Sequence, residues 1–179
     1  MAYRVIASEI LFSGRVFKVR KDRVVLEDGR ESSVDVVVHP GAVALIPVDS
    51  VNQLWFVRQY RHASGGELLE LPAGTLERGE APEECAEREC QEEIGMSPGR
   101  LEHLGGFFLA PGYSTEYLQV YLATELRSDP RPRDPDEQIQ VEKLSLGQVV
   151  ELIGSGGLRD AKSLAALTLA GPRLGLSKR

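Results

Sequence analysis

The sequence predicts a single globular protein of mixed α and β structure, in which a small antiparallel sheet precedes a larger domain. Two observations support this fold class. The N-terminal residues hold short β-prone runs broken by turn residues, whereas the remainder combines apolar strand patterns with three segments that carry helix start and stop signals. A chain of 179 residues, 42% hydrophobic and 27% charged, is long enough for one core. We expect residues 1–39 to form the N-terminal sheet and residues 40–179 the main domain.

The N-terminal sheet is predicted over Tyr3–Val38. Turn residues at Ser13-Gly14 and at Glu27-Asp28-Gly29 divide this segment into two or three antiparallel strands. So small a sheet is marginally stable alone, so we expect it to pack on the rest of the chain or on a second copy.

The main domain is predicted from alternating strand and helix signals. A loop at Pro72–Gly79 leads into a helix over Pro82–Ile94, which has proline at its first position and Gly95 just beyond its end. A proline-rich loop is predicted over Ser128–Asp136. The predicted strands are Ala42–Val48, Leu54–Arg58, Leu68–Leu71, Leu101–Leu109, Tyr117–Thr124 and Ile139–Leu144, and the two further helices run from Ser145 to about Gly154 and from Asp160 to Ala170.

Net charge limits the classes of ligand. The chain has a formal net charge of -6 and three scattered histidines, with no basic run, which argues against nucleic acid and anionic membranes as partners. The first 20 residues lack a leader pattern and no stretch is apolar enough to span a membrane, so we expect a cytoplasmic protein. Cys85 and Cys90, the two cysteines, lie about 140° apart around one helix, so a disulfide is not expected, and no zinc-ligand spacing is present.

Three carboxylates share one stripe of the predicted Pro82–Ile94 helix. Glu89, Glu92 and Glu93 stand at i, i+3 and i+4, where like charges repel, and a divalent cation would relieve that repulsion. The alternative is a solvated acidic face. Glu77 and Glu80 in the preceding loop favour the cation, because up to five carboxylates can then converge, and oxygen ligands select magnesium or manganese over zinc.

Two further features of this helix support the interpretation of the carboxylate stripe as a cation site. Ala86, Cys90 and Ile94 form an apolar line on an adjacent face, which would press against the sheet. Arg88 and Glu92 are four residues apart and can form an ion pair that fixes one carboxylate.

The spacing from Gly74 through Glu80 to the run Arg88–Met96 resembles the full Nudix box, the signature of Nudix hydrolases. Other stretches are similar to the ADP-ribose pyrophosphatase branch of that family, namely Val57–Arg61, Glu70–Gly74, Ala110–Glu116 and Asp160–Ser163. The resemblance implies an α/β/α sandwich with a mixed sheet beside the small N-terminal sheet. It also implies a homodimer in which the N-terminal strands are exchanged.

For the site, the resemblance implies Mg²⁺ or Mn²⁺ held directly by Glu89 and Glu93. Glu92 and the backbone carbonyl of Ala73 would complete the shell, with Glu77 and Glu80 in or next to it. The proposed reaction is hydrolysis of a pyrophosphate bond, in which metals shield the oxygens and activate a water.

Residues outside the box complete the predicted site. The resemblance suggests Glu137 as the general base, with a solvated loop carboxylate as the alternative, and Glu116 as a rival base or a substrate ligand. Arg58 and Arg61 are predicted to bind phosphate as paired cationic donors. Tyr113 is a candidate for stacking on a base.

The leading functional hypothesis is metal-dependent hydrolysis of the pyrophosphate bond of ADP-ribose or a related nucleoside diphosphate sugar, a small-molecule substrate, to a nucleoside monophosphate and a sugar phosphate. Within the same class, the alternatives are a nucleotide-sugar hydrolase with another base or sugar and a nucleoside triphosphate pyrophosphohydrolase. From another class, the chain would be a Nudix-fold module that binds a nucleotide without cutting it.

Overall fold

The computed structural model of the chain describes residues 3–133 and 138–175. The N-terminal segment forms three strands, β1 (Arg4–Ser13), β2 (Lys18–Val25) and β3 (Glu31–Val38). They pair antiparallel in the order β1-β2-β3, so β1 is an edge strand. The predicted antiparallel N-terminal sheet is thereby confirmed.

The remaining elements alternate between strands and three helices. The strands are β4 (Ala42–Pro47), β5 (Gln53–Arg61), β6 (Gly66–Glu70), β7 (Ala73–Thr75), β8 (Met96–Ser97), β9 (Arg100–Phe108), β10 (Tyr117–Thr124), β11 (Arg127–Ser128) and β12 (Ile139–Ser145). The helices are α1 (Pro82–Ile94), α2 (Leu146–Gly154) and α3 (Ala161–Leu174).

These strands form three further sheets. The largest has the order β7-β4-β10-β9 and is mixed, because β10 runs parallel to β4 while β7 is antiparallel to it. A second sheet is antiparallel with the order β12-β5-β6, and β11 pairs with β8. The mixed sheet, the antiparallel sheets and the helices confirm the predicted fold class.

Helix α1 has the predicted bounds because both of its ends are encoded locally. Pro82 occupies the first turn, and Gly95 ends the helix in the left-handed region at φ 70°, which glycine adopts without strain. Ala86, Cys90 and Ile94 are buried as predicted. They belong to a core cluster with Val43, Leu45, Trp55, Val57 and Tyr121 from strands β4, β5 and β10. Because this apolar face of α1 is packed in the core, the carboxylates lie on the adjacent stripe of the helix.

Four differences from the predicted elements concern short or extended strands. The predicted loop after β6 contains β7, which is three residues long and has no apolar periodicity to reveal it. Strands β8 and β11 have two residues each and were not predicted for the same reason. Strand β5 continues to Arg61 because its last residues pair with β6.

The chain divides into two compact units. One contains the N-terminal segment up to Gly41 together with Phe107–Tyr117, and the other contains Ala42–Gly106 and the chain from Leu118 onward. Within the first unit, β3 is held to the second segment by backbone hydrogen bonds from Val37 to Tyr113 and from Thr115 to Val37. The predicted division into domains at residue 39 stays a prediction.

Two general properties follow from the described residues. None of the helices in residues 3–133 and 138–175 is long and apolar enough to cross a membrane. Both cysteines are free thiols and are buried in the helix α1.

Candidate active site

The predicted carboxylate stripe lies on α1 beside its buried apolar face. Glu89 and Glu93 are buried, with relative exposures of 8% and 2%, whereas Glu92 is half-buried. Burial of ionised carboxylates is costly unless positive charge or hydrogen bonds compensate it. We refer to Glu89, Glu92 and Glu93 together as the ridge. The groups that surround these three carboxylates therefore determine which ligand the ridge can bind.

Arg88 supplies part of that compensation. Its Nη1 donates to Glu89 Oε1 at 2.6 Å and to Glu92 Oε2 at 3.1 Å, which confirms the predicted pair of Arg88 with Glu92. Its Nε and Nη2 donate to the two carboxylate oxygens of Glu80 at 2.7 and 3.0 Å. The hydrogen bond from Arg88 lowers the pKa of Glu80, so this carboxylate is ionised at neutral pH.

Strand β7 brings backbone against the ridge. The N–H of Ala73 donates to Glu93 Oε2 at 3.0 Å. At Gly74, a side-chain Cβ would lie 1.7 Å from Glu89 Oε1, so the carboxylate occupies the space that any other residue would fill. Glycine is required here by close approach. The structure thus brings together Ala73, Glu89 and Glu93, three of the predicted metal-binding residues.

The donor set of the ridge fits a hard divalent cation. Carboxylate and backbone oxygens are the ligands that Mg²⁺ and Mn²⁺ prefer, and the glycine at position 74 leaves room for Glu89 beside the backbone. Among the residues that the structure describes, no three acidic, histidine or cysteine side chains already meet as a formed metal cluster. Arg88 instead holds Glu89 and Glu92 near one another.

The two acidic residues of the loop before α1 have different surroundings. Glu80 is engaged by Arg88, and its Oε2 also accepts the backbone N–H of Glu77 at 2.8 Å. Glu77 borders a polar hollow of about 420 Å³ that Glu80, Arg88 and Arg131 also line. A metal-binding role for Glu77 stays a prediction.

The structure does not bring Arg58 and Arg61 together as a pair. They are three positions apart in β5, and successive side chains of a strand point to opposite faces. Arg58 donates to Glu142 on β12 at 2.5 Å, whereas Arg61 forms two hydrogen bonds to Glu70. The predicted strand ends at Arg58, whereas the observed strand continues to Arg61 and places the two side chains on opposite faces.

Arg61 lies near Glu93, one of the three carboxylates of the ridge. Its Nε and Nη2 donate to Glu70 Oε1 and Oε2 at 2.9 and 2.7 Å. The Glu70 hydrogen bond raises the pKa of Arg61, and the nearby charge of Glu93 adds to this effect. Arg61 is therefore a permanent cation close to one of the predicted metal ligands.

Glu70 is a buried acidic residue beside the candidate site that was not predicted from the sequence. Its side chain is 2% exposed and forms ion pairs with both Arg61 and Lys162. Burial opposes its ionisation, but the hydrogen bonds and charges of these two cations outweigh burial and lower the pKa of Glu70. The available signal was a single acidic residue within the otherwise apolar run Leu68–Leu71.

The loop after β11 is bound to the C-terminal end of α1. The guanidinium of Arg133 donates to the backbone carbonyls of Glu92 at 2.9 Å and Glu93 at 2.8 Å, and to that of Ile139 at 3.0 Å. These bonds satisfy helix carbonyls that have no partner within the helix. Glu137, the candidate general base, lies outside the described residues.

Two predicted substrate-binding residues belong to the other compact unit. Tyr113 is exposed, and its carbonyl accepts the N–H of Val37 at 2.7 Å. The N–H of Glu116 donates to the hydroxyl of Ser114 at 3.1 Å. The bond from Val37 holds the segment to β3 within its own unit, whereas the bond from Glu116 is local to the segment. The roles of Tyr113 and Glu116 stay predictions.

Comparisons with known proteins agree with the fold. The NUDIX domain model matches residues 38–167, so the chain belongs to the Nudix family. An ADP-ribose pyrophosphatase of Bacillus subtilis is 36% identical over 166 residues, which are 92% of this chain and 90% of that protein. These matches confirm the resemblance to Nudix hydrolases and to their ADP-ribose pyrophosphatase branch.

A further relative and a solved structure extend the comparison. A methanol dehydrogenase activator of Bacillus methanolicus is also 36% identical over 166 residues, with the same coverage of both chains. The crystal structure of an ADP compounds hydrolase superimposes with a TM-score of 0.87 over 100% of this chain and 97% of that one, at 22% identity. At that identity the superposition shows the shared fold.

Proposed function

We propose that this chain hydrolyses the pyrophosphate bond of ADP-ribose or of a related nucleoside diphosphate sugar. The reaction would use Mg²⁺ or Mn²⁺ and release a nucleoside monophosphate and a sugar phosphate. The observation that carries the proposal is the ridge of Glu89, Glu92 and Glu93, in which Glu93 accepts the N–H of Ala73 and Glu89 lies against Gly74. The name of the Bacillus subtilis relative supports the choice of substrate.

The residues of the ridge divide the chemical tasks. A divalent cation held by Glu89 and Glu93 would supply positive charge against the diphosphate and favour ionisation of the attacking water. Glu92 and the Ala73 carbonyl would complete its shell. Arg88 keeps Glu89 and Glu92 in position through its two hydrogen bonds from Nη1.

Arg61 is the cation best placed for the substrate. Its guanidinium lies near Glu93, and developing charge on a phosphate is stabilised by a fixed cation in a partly buried site. Arg58, which is bound to Glu142 on the opposite face of the strand, is proposed as a second phosphate ligand. Tyr113 would stack on the base, and Glu116 would bind the substrate or act as base.

A panel of substrates tests the proposal. Purified protein with Mg²⁺ is incubated with ADP-ribose, GDP-mannose and nucleoside triphosphates, and the products are identified by chromatography. We expect AMP from ADP-ribose, and loss of at least about 100-fold in kcat for Glu93→Gln. Triphosphate turnover alone would indicate the pyrophosphohydrolase alternative, and binding without turnover would indicate a non-catalytic module.

Glu137 is proposed as the general base. The substitution Glu137→Gln should then lower kcat much more than it weakens substrate binding, because the carboxylate acts on the water in the chemical step. Single-turnover kinetics would separate the two effects. An unchanged kcat would remove Glu137 from the mechanism and leave Glu116 as the candidate.

A homodimer and a cytoplasmic location complete the proposal. All ten residues of the edge strand β1 are exposed, and they include Val5, Ile10, Leu11 and Phe12. An edge strand with a large apolar surface is suited to pair with a second copy. Sedimentation analysis should give about twice the mass of 19.7 kDa, and a monomer at all concentrations would contradict the dimer.

A further inference from the structure

The segment Asp160–Ser163 is a motif to which the proposed reaction assigns no role. In the structure it begins α3 and contacts the chain immediately before β7. Asp160 caps the helix by accepting from the N–H of Ser163 at 3.0 Å, and it also accepts from the Ser163 hydroxyl. That hydroxyl in turn accepts the backbone N–H of Leu71 at 2.7 Å. The motif therefore holds the segment that carries Glu70.

Lys162 joins this motif to Glu70. Its Nζ forms an ion pair with Glu70 and a second one with Asp160 at 2.9 Å. The side chains of Lys162, Glu70 and Asp160 are 13%, 2% and 14% exposed, so water contributes little to their solvation. Buried charges at this depth need partners, and Lys162 is a partner for both acids.

Glu70 in turn fixes the orientation of Arg61. Two parallel hydrogen bonds from Nε and Nη2 set the plane of the guanidinium. Nη1 of Arg61 has no hydrogen-bond acceptor among the described residues, and the Arg61 side chain is 40% exposed. One nitrogen of a rigidly held cation therefore remains for an anionic ligand.

We propose that Lys162 is a positioning residue, which acts through Glu70 to set the geometry and effective charge of Arg61 toward a substrate phosphate. This inference rests on the proposed function. Without Lys162, the full charge of Glu70 acts on Arg61 alone, so the guanidinium is drawn toward Glu70 and away from the phosphate. Lys162 shares that carboxylate and leaves Arg61 available.

A double-mutant cycle tests this arrangement. The wild type, Lys162→Met, Arg61→Gln and the double variant are assayed for ADP-ribose hydrolysis with saturating Mg²⁺. We expect Lys162→Met to lower kcat/KM about tenfold, mainly through KM, and to have less than about a twofold effect in the Arg61→Gln background. A residue that only stabilises the fold would lower activity by the same factor in both backgrounds, and that result would overturn the proposal.

Control variants keep the test decisive. Arg159→Met removes an exposed cation that directly precedes the motif, and it should leave kcat/KM within about twofold of wild type. If Lys162→Met does not fold, Glu70→Gln replaces it in the cycle. Glu70→Gln should likewise lower kcat/KM in the wild-type background and have little effect in the Arg61→Gln background. Equal effects of Glu70→Gln in both backgrounds would also overturn the proposal. Wild-type inactivity on the whole panel would refute the proposed function instead.

Discussion

Replacement of Gly74 by alanine should disable the site without unfolding the protein. The added Cβ would lie 1.7 Å from Glu89 Oε1, whereas real contacts of this kind are not shorter than 3.0 Å. The carboxylate must therefore move by at least about 1.3 Å, and a misplacement of about 1 Å in a catalytic group lowers rates by roughly 100-fold. The atoms displaced are Oε1, Cδ and Cγ of the Glu89 side chain and none of them belongs to the backbone, so a change of the Glu89 rotamer can make room for the methyl group.

The backbone also permits this substitution. Gly74 is not among the glycines with positive φ, so alanine adopts its conformation without strain. The free energy of unfolding should change by less than about 1 kcal/mol, because alanine also restricts the unfolded chain. Stability and activity should thus respond separately to one substitution.

The assay combines kinetics, a metal titration and urea unfolding. Gly74→Ala should lower kcat/KM for ADP-ribose by about 100-fold and raise the Mg²⁺ concentration for half-maximal rate. Gly147→Ala is the matched control, because a Cβ at Gly147 meets no atom within 4 Å. Wild-type kinetics and an unchanged Mg²⁺ requirement in Gly74→Ala would refute the assignment of Glu89.

Further predictions concern stability and reactivity. Arg133→Gln removes a cation that donates to three backbone carbonyls of α1 and β12, and should lower the free energy of unfolding by about 1–2 kcal/mol in urea titrations, whereas the exposed Arg127→Gln should not. The pKa of Glu70 is lowered from 4.5, so its contribution to stability is present above that pH and is lost as the pH falls through the lower folded value. Unfolding free energy should fall less steeply below pH 4.5 in Glu70→Gln, and parallel curves would contradict this. Burial raises the pKa of Cys90 to about 12 and also raises that of Cys85, so neither thiol should react with a thiol reagent at pH 8 before unfolding.

Local signals were sufficient to predict helix α1 and its ridge. A proline at the start, a glycine at the end and the spacing of Glu89, Glu92 and Glu93 all lie within 14 residues of the chain. The buried line of Ala86, Cys90 and Ile94 follows from the same periodicity. Elements of this kind depend on neighbours in sequence, so the sequence alone specifies them.

Long-range pairing was not predictable in the same way. The contact between Glu70 and Lys162 joins residues 92 positions apart, and no local pattern distinguishes an acid that will be buried by a distant lysine. The predicted pairing of Arg58 with Arg61 depended on strand length. Three further residues of β5 place the two side chains on opposite faces, and only the pairing with β6 shows that the strand continues.

Anomalous diffraction from crystals grown with Mn²⁺ and soaked with ADP-ribose tests the central claim most directly, because it locates the cations relative to the ridge. We expect manganese peaks about 2.2 Å from carboxylate oxygens of Glu89 and Glu93, with the diphosphate in contact with the same ions. Manganese bound only at other sites, with both carboxylates still hydrogen-bonded as in the structure described here, would contradict the assignment of this helix as the metal-binding element.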